Sequence, residues 1–356
     1  MATAHINRIG TAVPPNDVHD AFVGFVDNFI PERREKLLFK RMVGRADIQH
    51  RYSFFRPAES GDADADGFYV AGRFPTTAAR MARYEQHAPD LALQAIDALG
   101  EIDRARVTHL IVSSCTGFIA PGLDQMIVAR AGLSPSVERT VVGFMGCYAA
   151  VNSLRLAHHI VRSEPASRVL VVNLELCSLH FQETADLERL LSMLLFGDGC
   201  AASLVTADAE GFALHDFRAA TIEESSENIT WRIGDQGFDM HLSGEVPIKI
   251  GRALKADRER NDPSNLLRGR QASDYDAWAV HAGGRTILDA VEQGYELAGD
   301  ALRWSRGVLR DFGNMSSATI MFVLDRLMKG DAPAANGMAM AFGPGLAAET
   351  FRFTRA

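Results

Sequence analysis

Residues 168–176 read Arg168-Val-Leu-Val-Val-Asn-Leu-Glu-Leu176, an almost continuous apolar run. Such a run is typical of a strand that is buried on both faces of a parallel or mixed sheet. Strand and helix patterns alternate before and after it, with strands at 107–113, 139–143 and 200–206 and helices at 91–99 and 123–131. A further strand and a basic helical stretch are predicted at 6–13 and 18–45. The alternation predicts a layered α/β fold.

The same plan recurs in the second half of the chain. Strands are predicted at 213–217, 277–280 and 338–342, and helices at 285–298 and 317–328. A chain of 356 residues has room for two core-sized units. We therefore expect two similar halves, residues 1–210 and 211–356. The polar, charged segments 58–75 and 257–276 are interpreted as surface loop and as surface helix with loop.

Composition excludes several classes of protein. Apolar residues make up 47% of the chain and charged residues 23%, as in an ordinary globular protein. The net charge of −8 argues against a general nucleic-acid binder. Four cysteines without CxxC spacing indicate reduced thiols rather than a disulfide framework or a zinc site. No signal peptide or membrane span is evident, so a cytoplasmic location is expected.

One cysteine has a setting that suits a nucleophile. Cys147 lies in Gly143-Phe-Met-Gly-Cys-Tyr-Ala-Ala150, between a predicted strand and a helical pattern. The thiol is therefore expected at a helix N-terminus, where the helix dipole favours the thiolate and lowers the pKa. A small buried core cysteine is the alternative interpretation.

Two further polar residues occupy comparable positions. His281, in Trp278-Ala-Val-His-Ala-Gly-Gly-Arg-Thr-Ile287, follows a strand and precedes a Gly-Gly turn, and strand ends are where open α/β sheets bind ligands. Asn314, in Asp311-Phe-Gly-Asn-Met-Ser-Ser317, precedes a helix. It is either a turn or cap residue or, if it faces Cys147 and His281, an amide donor to an oxyanion.

Two Gly-rich turns complete the pattern, Phe196-Gly-Asp-Gly199 and Phe342-Gly-Pro-Gly345. Both lack the residues of a phosphate-binding loop, so they are ordinary tight turns or the walls of a site.

Taken in their order along the chain, the five motifs closely resemble those of the chalcone synthase family, the type III polyketide synthases, over essentially the whole chain. The resemblance implies a thiolase-like αβαβα fold and a homodimer that uses malonyl-CoA and acyl-CoA as substrates, without a metal or other cofactor. Carried over by motif, Cys147 would bear the acyl chain, with His281 and Asn314 as its catalytic partners.

The resemblance also assigns residues around the substrate. Phe196 matches a gatekeeping aromatic residue, and Met240 stands where plant enzymes have a second gatekeeping Phe. The other expected cavity residues are Cys115, Cys177, His180, Phe342 and Gly343. Arg41 and Arg45 match basic residues that meet the phosphates of coenzyme A, whereas a third basic position is Leu38 in this chain.

Segments 113–122 and 175–180 look like those of bacterial members, several of which accept fatty acyl starters. The expected activity is therefore iterative decarboxylative condensation of malonyl-CoA onto an acyl-CoA starter, possibly fatty acyl, and cyclisation to an alkylresorcinol- or alkylpyrone-like product.

Three alternatives share parts of this pattern. Papain-like proteases have the same order of Cys, His and Asn, but the chain lacks their Cys-Gly-Ser-Cys-Trp signature. A ketoacyl synthase III-like or hydroxymethylglutaryl-CoA synthase-like enzyme would perform one condensation without cyclisation. A non-catalytic binding module would have no need of a nucleophile.

Overall fold

The computed structural model describes residues 2–58, 63–260, 262–330 and 333–356. Residues 59–62 of the predicted acidic loop and residue 261 of the predicted surface segment lie outside the described residues. The strands are β1 (His5–Ala12), β2 (Asn16–Asp17), β3 (Tyr52–Ser53), β4 (His109–Ser114), β5 (Glu138–Gly143), β6 (Val169–Leu176), β7 (Asp198–Thr206), β8 (Phe212–Thr221), β9 (Ile229–Gly234), β10 (Gly237–Leu242), β11 (Ala277–Val280), β12 (Gly337–Gly343) and β13 (Ala347–Arg355).

The helices are α1 (His19–Phe29), α2 (Arg33–Val43), α3 (Thr77–Asp97), α4 (Leu123–Ala131), α5 (Ala149–Ser163), α6 (Leu187–Leu195), α7 (Val246–Arg260), α8 (Arg285–Tyr295), α9 (Arg303–Phe312) and α10 (Thr319–Lys329). None of the described helices is long and apolar enough to cross a lipid bilayer.

Within the described residues, nine strands form one mixed sheet in the order β5-β4-β6-β7-β1-β8-β13-β12-β11. In the first half, β4 is parallel to β6, and β6, β7 and β1 are successively antiparallel. In the second half, β11 is parallel to β12, and β12, β13 and β8 are successively antiparallel. The two halves thus repeat one strand order, and they meet where β1 pairs with β8. The predicted α/β fold of two similar halves is confirmed.

The two central helices, α5 and α10, lie between the halves. Their apolar side chains, among them Leu154, Val161 and Val323, belong to one buried core with strand residues such as Val171 and Phe351. Two further cores cover the outer faces, one under α3 and α4 and the other under α7 and α8. Helices therefore alternate with sheet in five layers, because both faces of each half-sheet are apolar and must be covered.

Local differences from the predicted elements have physical causes. The basic helical stretch 18–45 is two helices, since Pro31 follows Ile30, whose backbone is extended. Helix α3 begins at Thr77, much earlier than predicted, after Thr76 caps it by accepting a hydrogen bond from the Ala79 amide. The β9–β10 hairpin, α9 and β13 were not predicted.

Strand β1 packs directly on helix α3 at Gly10. A Cβ atom at this position would lie 2.4 Å from the Ala95 carbonyl oxygen and 2.6 Å from the Leu99 amide nitrogen, both backbone atoms that cannot rotate away. Glycine at residue 10 therefore sets the distance between the sheet and its outer helix layer.

We predict that Gly10→Ala lowers the free energy of unfolding by about 1–3 kcal/mol, the usual cost of overpacking a core. The matched control is Gly24→Ala on α1, where nothing lies within 4 Å of the added Cβ. That change should be neutral or stabilising by about 0.5–1 kcal/mol. Urea denaturation measures both variants, and equal effects would contradict the close approach of β1 and α3.

Candidate active site

Cys147 lies where β5 connects to α5. The connection includes a 3-10 turn, Gly146–Tyr148, that leads directly into α5. Gly146 has a φ of 72°, and a Cβ there would lie 2.3 Å from Pro344, so no other residue fits this turn. The thiol is thereby held at the N-terminus of α5, as the sequence predicts, and it faces the main cavity.

Asn314 connects three parts of the site. Its backbone forms a bridge with Phe196, in which the Asn314 amide donates to the Leu195 carbonyl and the Gly197 amide donates to the Asn314 carbonyl. Its side-chain Nδ2 donates to the Gly283 carbonyl at 3.2 Å. The Asn314 side chain also acts on the Cys147 thiol, since it lowers the pKa of that thiol against the larger effect of burial. The structure thus brings Asn314 to the thiol and to the turn that carries His281.

His281 follows the last residue of β11 and is buried. Neither of its ring nitrogens hydrogen-bonds to any residue that the structure describes. The Gly-Gly turn passes close to the ring, since a Cβ at Gly283 would lie 3.4–3.5 Å from Cδ2 and Nε2. Burial lowers the pKa of His281 to about 3, so the imidazole is neutral and keeps a lone pair for a proton.

The electrostatic setting of Cys147 differs from the one predicted from the helix N-terminus alone. Burial raises the pKa of the thiol to about 12, although hydrogen bonds from Ser316 and Asn314 lower it. The expected depression of the pKa is therefore wrong for this buried thiol. An isolated thiolate is disfavoured here, and so is an isolated imidazolium at His281.

A buried carboxylate, Glu175, organises the wall behind the thiol. It accepts hydrogen bonds from the Cys115 amide at 3.0 Å, the Thr116 hydroxyl at 2.9 Å and the Ser317 hydroxyl at 2.6 Å. Burial raises its pKa. The sequence analysis did not assign it a role, although a carboxylate inside the apolar run 168–176 was the available signal.

A line of polar atoms joins this carboxylate to the nucleophile. Cys115 Sγ lies 3.4 Å from both carboxylate oxygens of Glu175 and 3.4 Å from Ser316 Oγ. Ser316 Oγ lies 3.7 Å from Cys147 Sγ. The sequence predicts Cys115 as a cavity residue. Its sulfur is also part of a continuous chain of contacts between Cys147 and Glu175.

The cavity at Cys147 takes in about 1190 Å³ of space between atoms, with the open solvent at its mouth included. Five of the expected cavity residues line it: Cys115, Cys177, His180, Phe196 and Met240. Phe342 and Gly343 are not among the lining residues. Gly343 lies behind the nucleophile, where a Cβ would be 3.4 Å from the Cys147 amide nitrogen and 2.6 Å from the Tyr148 ring. Phe342 is buried in the core under α7 and α8.

One wall of the cavity is the unpredicted β9–β10 hairpin. Trp231 lines the cavity, and its Nε1 donates to the Cys115 carbonyl at 2.7 Å. His180 Nε2 donates to the Thr116 carbonyl at 2.8 Å, while its Nδ1 accepts from the Phe238 amide at 3.0 Å. Burial lowers the pKa of His180 to about 3, which suits the neutral tautomer that these two bonds require. The hairpin is therefore fixed to the wall next to Cys147.

The expected coenzyme A residues lie outside this cavity. Arg41 is an exposed residue of α2, and the exposed Arg45 follows that helix. The Arg45 carbonyl accepts a bond at 3.4 Å from Arg285, at the start of the helix after His281. Leu38, which stands where the family has a third basic residue, is exposed on α2 and faces solvent.

Asp198, in the Phe196-Gly-Asp-Gly199 turn, is a second buried carboxylate. It accepts hydrogen bonds from the Ser178 amide at 2.8 Å and the Ser178 hydroxyl at 2.6 Å. Burial nevertheless raises its pKa from 3.8 to about 7. The folded chain therefore binds a proton at Asp198 over a pH range in which the unfolded chain does not.

A carboxyl group with a raised pKa contributes stability that is complete below the unfolded pKa and is lost as the pH rises towards the folded value. We predict that the free energy of unfolding, relative to that of Asp198→Asn, falls by up to about 4 kcal/mol between pH 4 and pH 7. Urea denaturation across this range measures the difference. A difference independent of pH would contradict protonation of Asp198 in the folded chain.

Known proteins resemble this chain over nearly its whole length. Sequence models of the chalcone and stilbene synthases match it, the N-terminal domain over residues 1–209 and the C-terminal domain over residues 214–355. The alpha-pyrone synthesis polyketide synthase-like Pks18 of Mycobacterium tuberculosis is 35% identical, covering 98% of this chain and 91% of the relative. Bisdemethoxycurcumin synthase of Oryza sativa is also 35% identical, covering 96% and 90%.

The fold agrees with a solved structure. The C-terminal type III polyketide synthase domain of Steely1 from Dictyostelium superimposes with a TM-score of 0.88 at 25% identity, covering 99% of both chains.

Proposed function

This chain belongs to the chalcone and stilbene synthase family of type III polyketide synthases, and we propose that it extends a fatty acyl starter with malonyl units on Cys147. Cyclisation then releases an alkylresorcinol- or alkylpyrone-like product. The observation that carries the proposal is the placement of the Cys147 thiol. It faces a cavity with a mostly apolar lining. A buried imidazole, whose two nitrogens bond to no residue that the structure describes, lies in the turn that Asn314 holds.

The first step is loading of the starter. Because burial disfavours a lone thiolate, the Cys147 proton passes to neutral His281 as the sulfur attacks the acyl-CoA carbonyl. The S–C bond to coenzyme A breaks, the departing thiolate takes a proton from solvent, and His281 keeps the proton that came from Cys147. The acyl chain then remains as a thioester on Cys147, and no metal or other cofactor takes part.

The second step is formation of the enolate. Malonyl-CoA loses carbon dioxide while Asn314 Nδ2 and His281 donate hydrogen bonds to its thioester oxygen, which becomes negative. An amide has two N–H groups, so Asn314 can hold the Gly283 carbonyl with one and the substrate with the other. The enolate carbon then attacks the acyl–Cys147 carbonyl and displaces the sulfur, which takes the proton back from His281. The extended chain, now a thioester of coenzyme A, is loaded onto Cys147 again, and the cycle repeats.

The lining of the cavity supports a long apolar starter. From Cys147 the lining continues past Cys177 to aromatic residues of α1 and the following segments, including Phe22, Phe25 and Phe181. Such a surface gains about 25 cal/mol for each Å² of apolar area that an acyl tail covers. The α-pyrone activity in the name of Pks18 supports the pyrone alternative for the product.

A homodimer and a cytoplasmic location belong to the same proposal. Strand β5 is an edge of the sheet, and Val141 on it and nearby Phe118 are exposed apolar residues. Exposed apolar residues at an unpaired sheet edge are commonly covered by a partner.

We predict that Asn314→Ala lowers malonyl-CoA decarboxylation at least about 100-fold, the usual loss when one oxyanion donor is removed. Acyl loading of Cys147 should change only a few-fold. Carbon dioxide release and intact-protein mass spectrometry measure the two steps. The Ser316 amide donates to Asn314 Oδ1 at 2.8 Å, and Asn314→Asp keeps this acceptor. The Asp variant should likewise lose decarboxylation much more than acyl loading. Equal losses in both steps would contradict these roles.

The function is tested by incubation with malonyl-CoA and saturated acyl-CoA starters from acetyl to palmitoyl, with mass spectrometry of the products. We expect cyclised products from several condensations and the highest turnover with long starters. Ala21→Phe, which narrows the cavity at α1, should shift the preference to shorter starters. A single uncyclised condensation product would instead support the ketoacyl synthase-like alternative. A preference for acetyl-CoA would contradict binding of a long acyl chain in the cavity.

A further inference from the structure

Helix α2 concentrates positive charge in an acidic protein. Residues 33–45 contain six cations and one carboxylate, a net charge of +5. Since the whole chain carries −8, the remaining residues carry −13. An electrostatic field of this kind turns one face of the molecule towards an anionic surface and repels the others.

The cations surround an exposed leucine. Leu37 is 62% exposed, the highest value among the large apolar residues that are exposed in the described part of the chain. Residues three and four positions apart are neighbours on a helix, so Arg33 and Arg34 lie on one side of Leu37 and Lys40 and Arg41 on the other. Two more apolar residues of the helix, Leu38 and Met42, are also exposed.

The opposite face of α2 fixes the helix to the protein. Phe39 is completely buried in the core beneath the helix. Beside the exposed face, Lys40 pairs with Asp27 of α1 at 3.3 Å and Lys36 lies 4.0 Å from the same carboxylate. Among the described residues, Arg33 and Arg34 form no ion pair, so their charge is available to a partner. The exposed leucine is therefore presented on a fixed helix and not on a frayed end.

We propose that the α2 face, defined as Arg33, Arg34 and Leu37, binds the surface of an anionic lipid bilayer. Basic helices with exposed leucine lie in the headgroup region, where cations meet lipid phosphates and the apolar side chain enters the acyl boundary. A protein partner would need a pocket that matches this convex helix, whereas a fluid bilayer accommodates it without one. The charge of −13 elsewhere keeps the other faces away from the same lipids.

Docking through α2 has a consequence for substrate supply. Arg41 and Arg45, the proposed coenzyme A residues, follow the α2 face on the same segment. The substrate entrance would then lie beside the bilayer, in which long acyl chains partition. This consequence rests on the proposed function, but the membrane binding itself does not.

The test is sedimentation of the full chain with vesicles, without substrates. We expect binding to vesicles of phosphatidylcholine mixed with phosphatidylglycerol, little binding to pure phosphatidylcholine, and weaker binding at high salt. The double variant Arg33→Gln/Arg34→Gln should bind roughly 30-fold more weakly, and Leu37→Gln about tenfold more weakly. Turnover of soluble substrates without vesicles should be unchanged, which also shows that the variants fold.

Ile248→Gln is the matched control. Ile248 is 56% exposed in the first turn of α7, where Arg252 is the only cation three or four positions away. It should leave vesicle binding unchanged.

The proposal is overturned if anionic vesicles do not bind, if neutral vesicles bind equally, or if Ile248→Gln loses as much binding as Leu37→Gln. Binding of an acidic acyl carrier protein through Arg33 and Arg34, without vesicle binding, would assign the face to a protein and also overturn it. Loss of polyketide formation with intact vesicle binding would refute the proposed function alone.

Discussion

The hydrogen bond from Asn314 to the Gly283 carbonyl ties the site together. Asn314 is also bonded through its backbone to the segment of Phe196, and its side chain reaches the thiol of Cys147. Groups from both halves of the chain are thereby held around one chamber. Glycines occur at these contacts because the backbones meet directly. A Cβ at Gly313 would lie 2.8 Å from the Leu195 carbonyl oxygen.

Burial is the second constraint on the chamber. It raises the pKa of Cys147 and of Glu175 and lowers that of His281, so each of these groups is driven towards its neutral form. A charge that forms in this setting is stabilised mainly by an opposite charge or by an oriented donor, since little water is present. The chemistry proposed for the site therefore depends on proton transfer between Cys147 and His281 and on the Asn314 amide.

Much of the fold could be predicted because its signals are local. Strand β6 was evident from its apolar run, and the bounds of α4 and β11 agree with the predicted ones because turn residues flank them. The β9–β10 hairpin was missed although its strands show the alternation of a half-buried strand, with Ile229, Trp231 and Ile233 separated by polar residues. Its place in the fold depends on distant partners such as Thr77 and His180.

The motifs predicted the candidate residues of the site but not their energetics. The motifs identified Cys147, His281 and Asn314, but the pKa of a thiol depends on burial by segments remote in the chain, which no local pattern reports. Likewise, the role of Glu175 depends on Cys115, Thr116 and Ser317, which the fold brings to it from two other segments.

The most direct test of the account is the location of the acyl group after incubation with palmitoyl-CoA alone, followed by proteolysis and tandem mass spectrometry. The account predicts one palmitoyl group per chain, on Cys147, because this thiol faces the cavity and is the proposed partner of His281. Acylation of Cys115 or Cys177 in its place, or no acylation at all, would contradict the account.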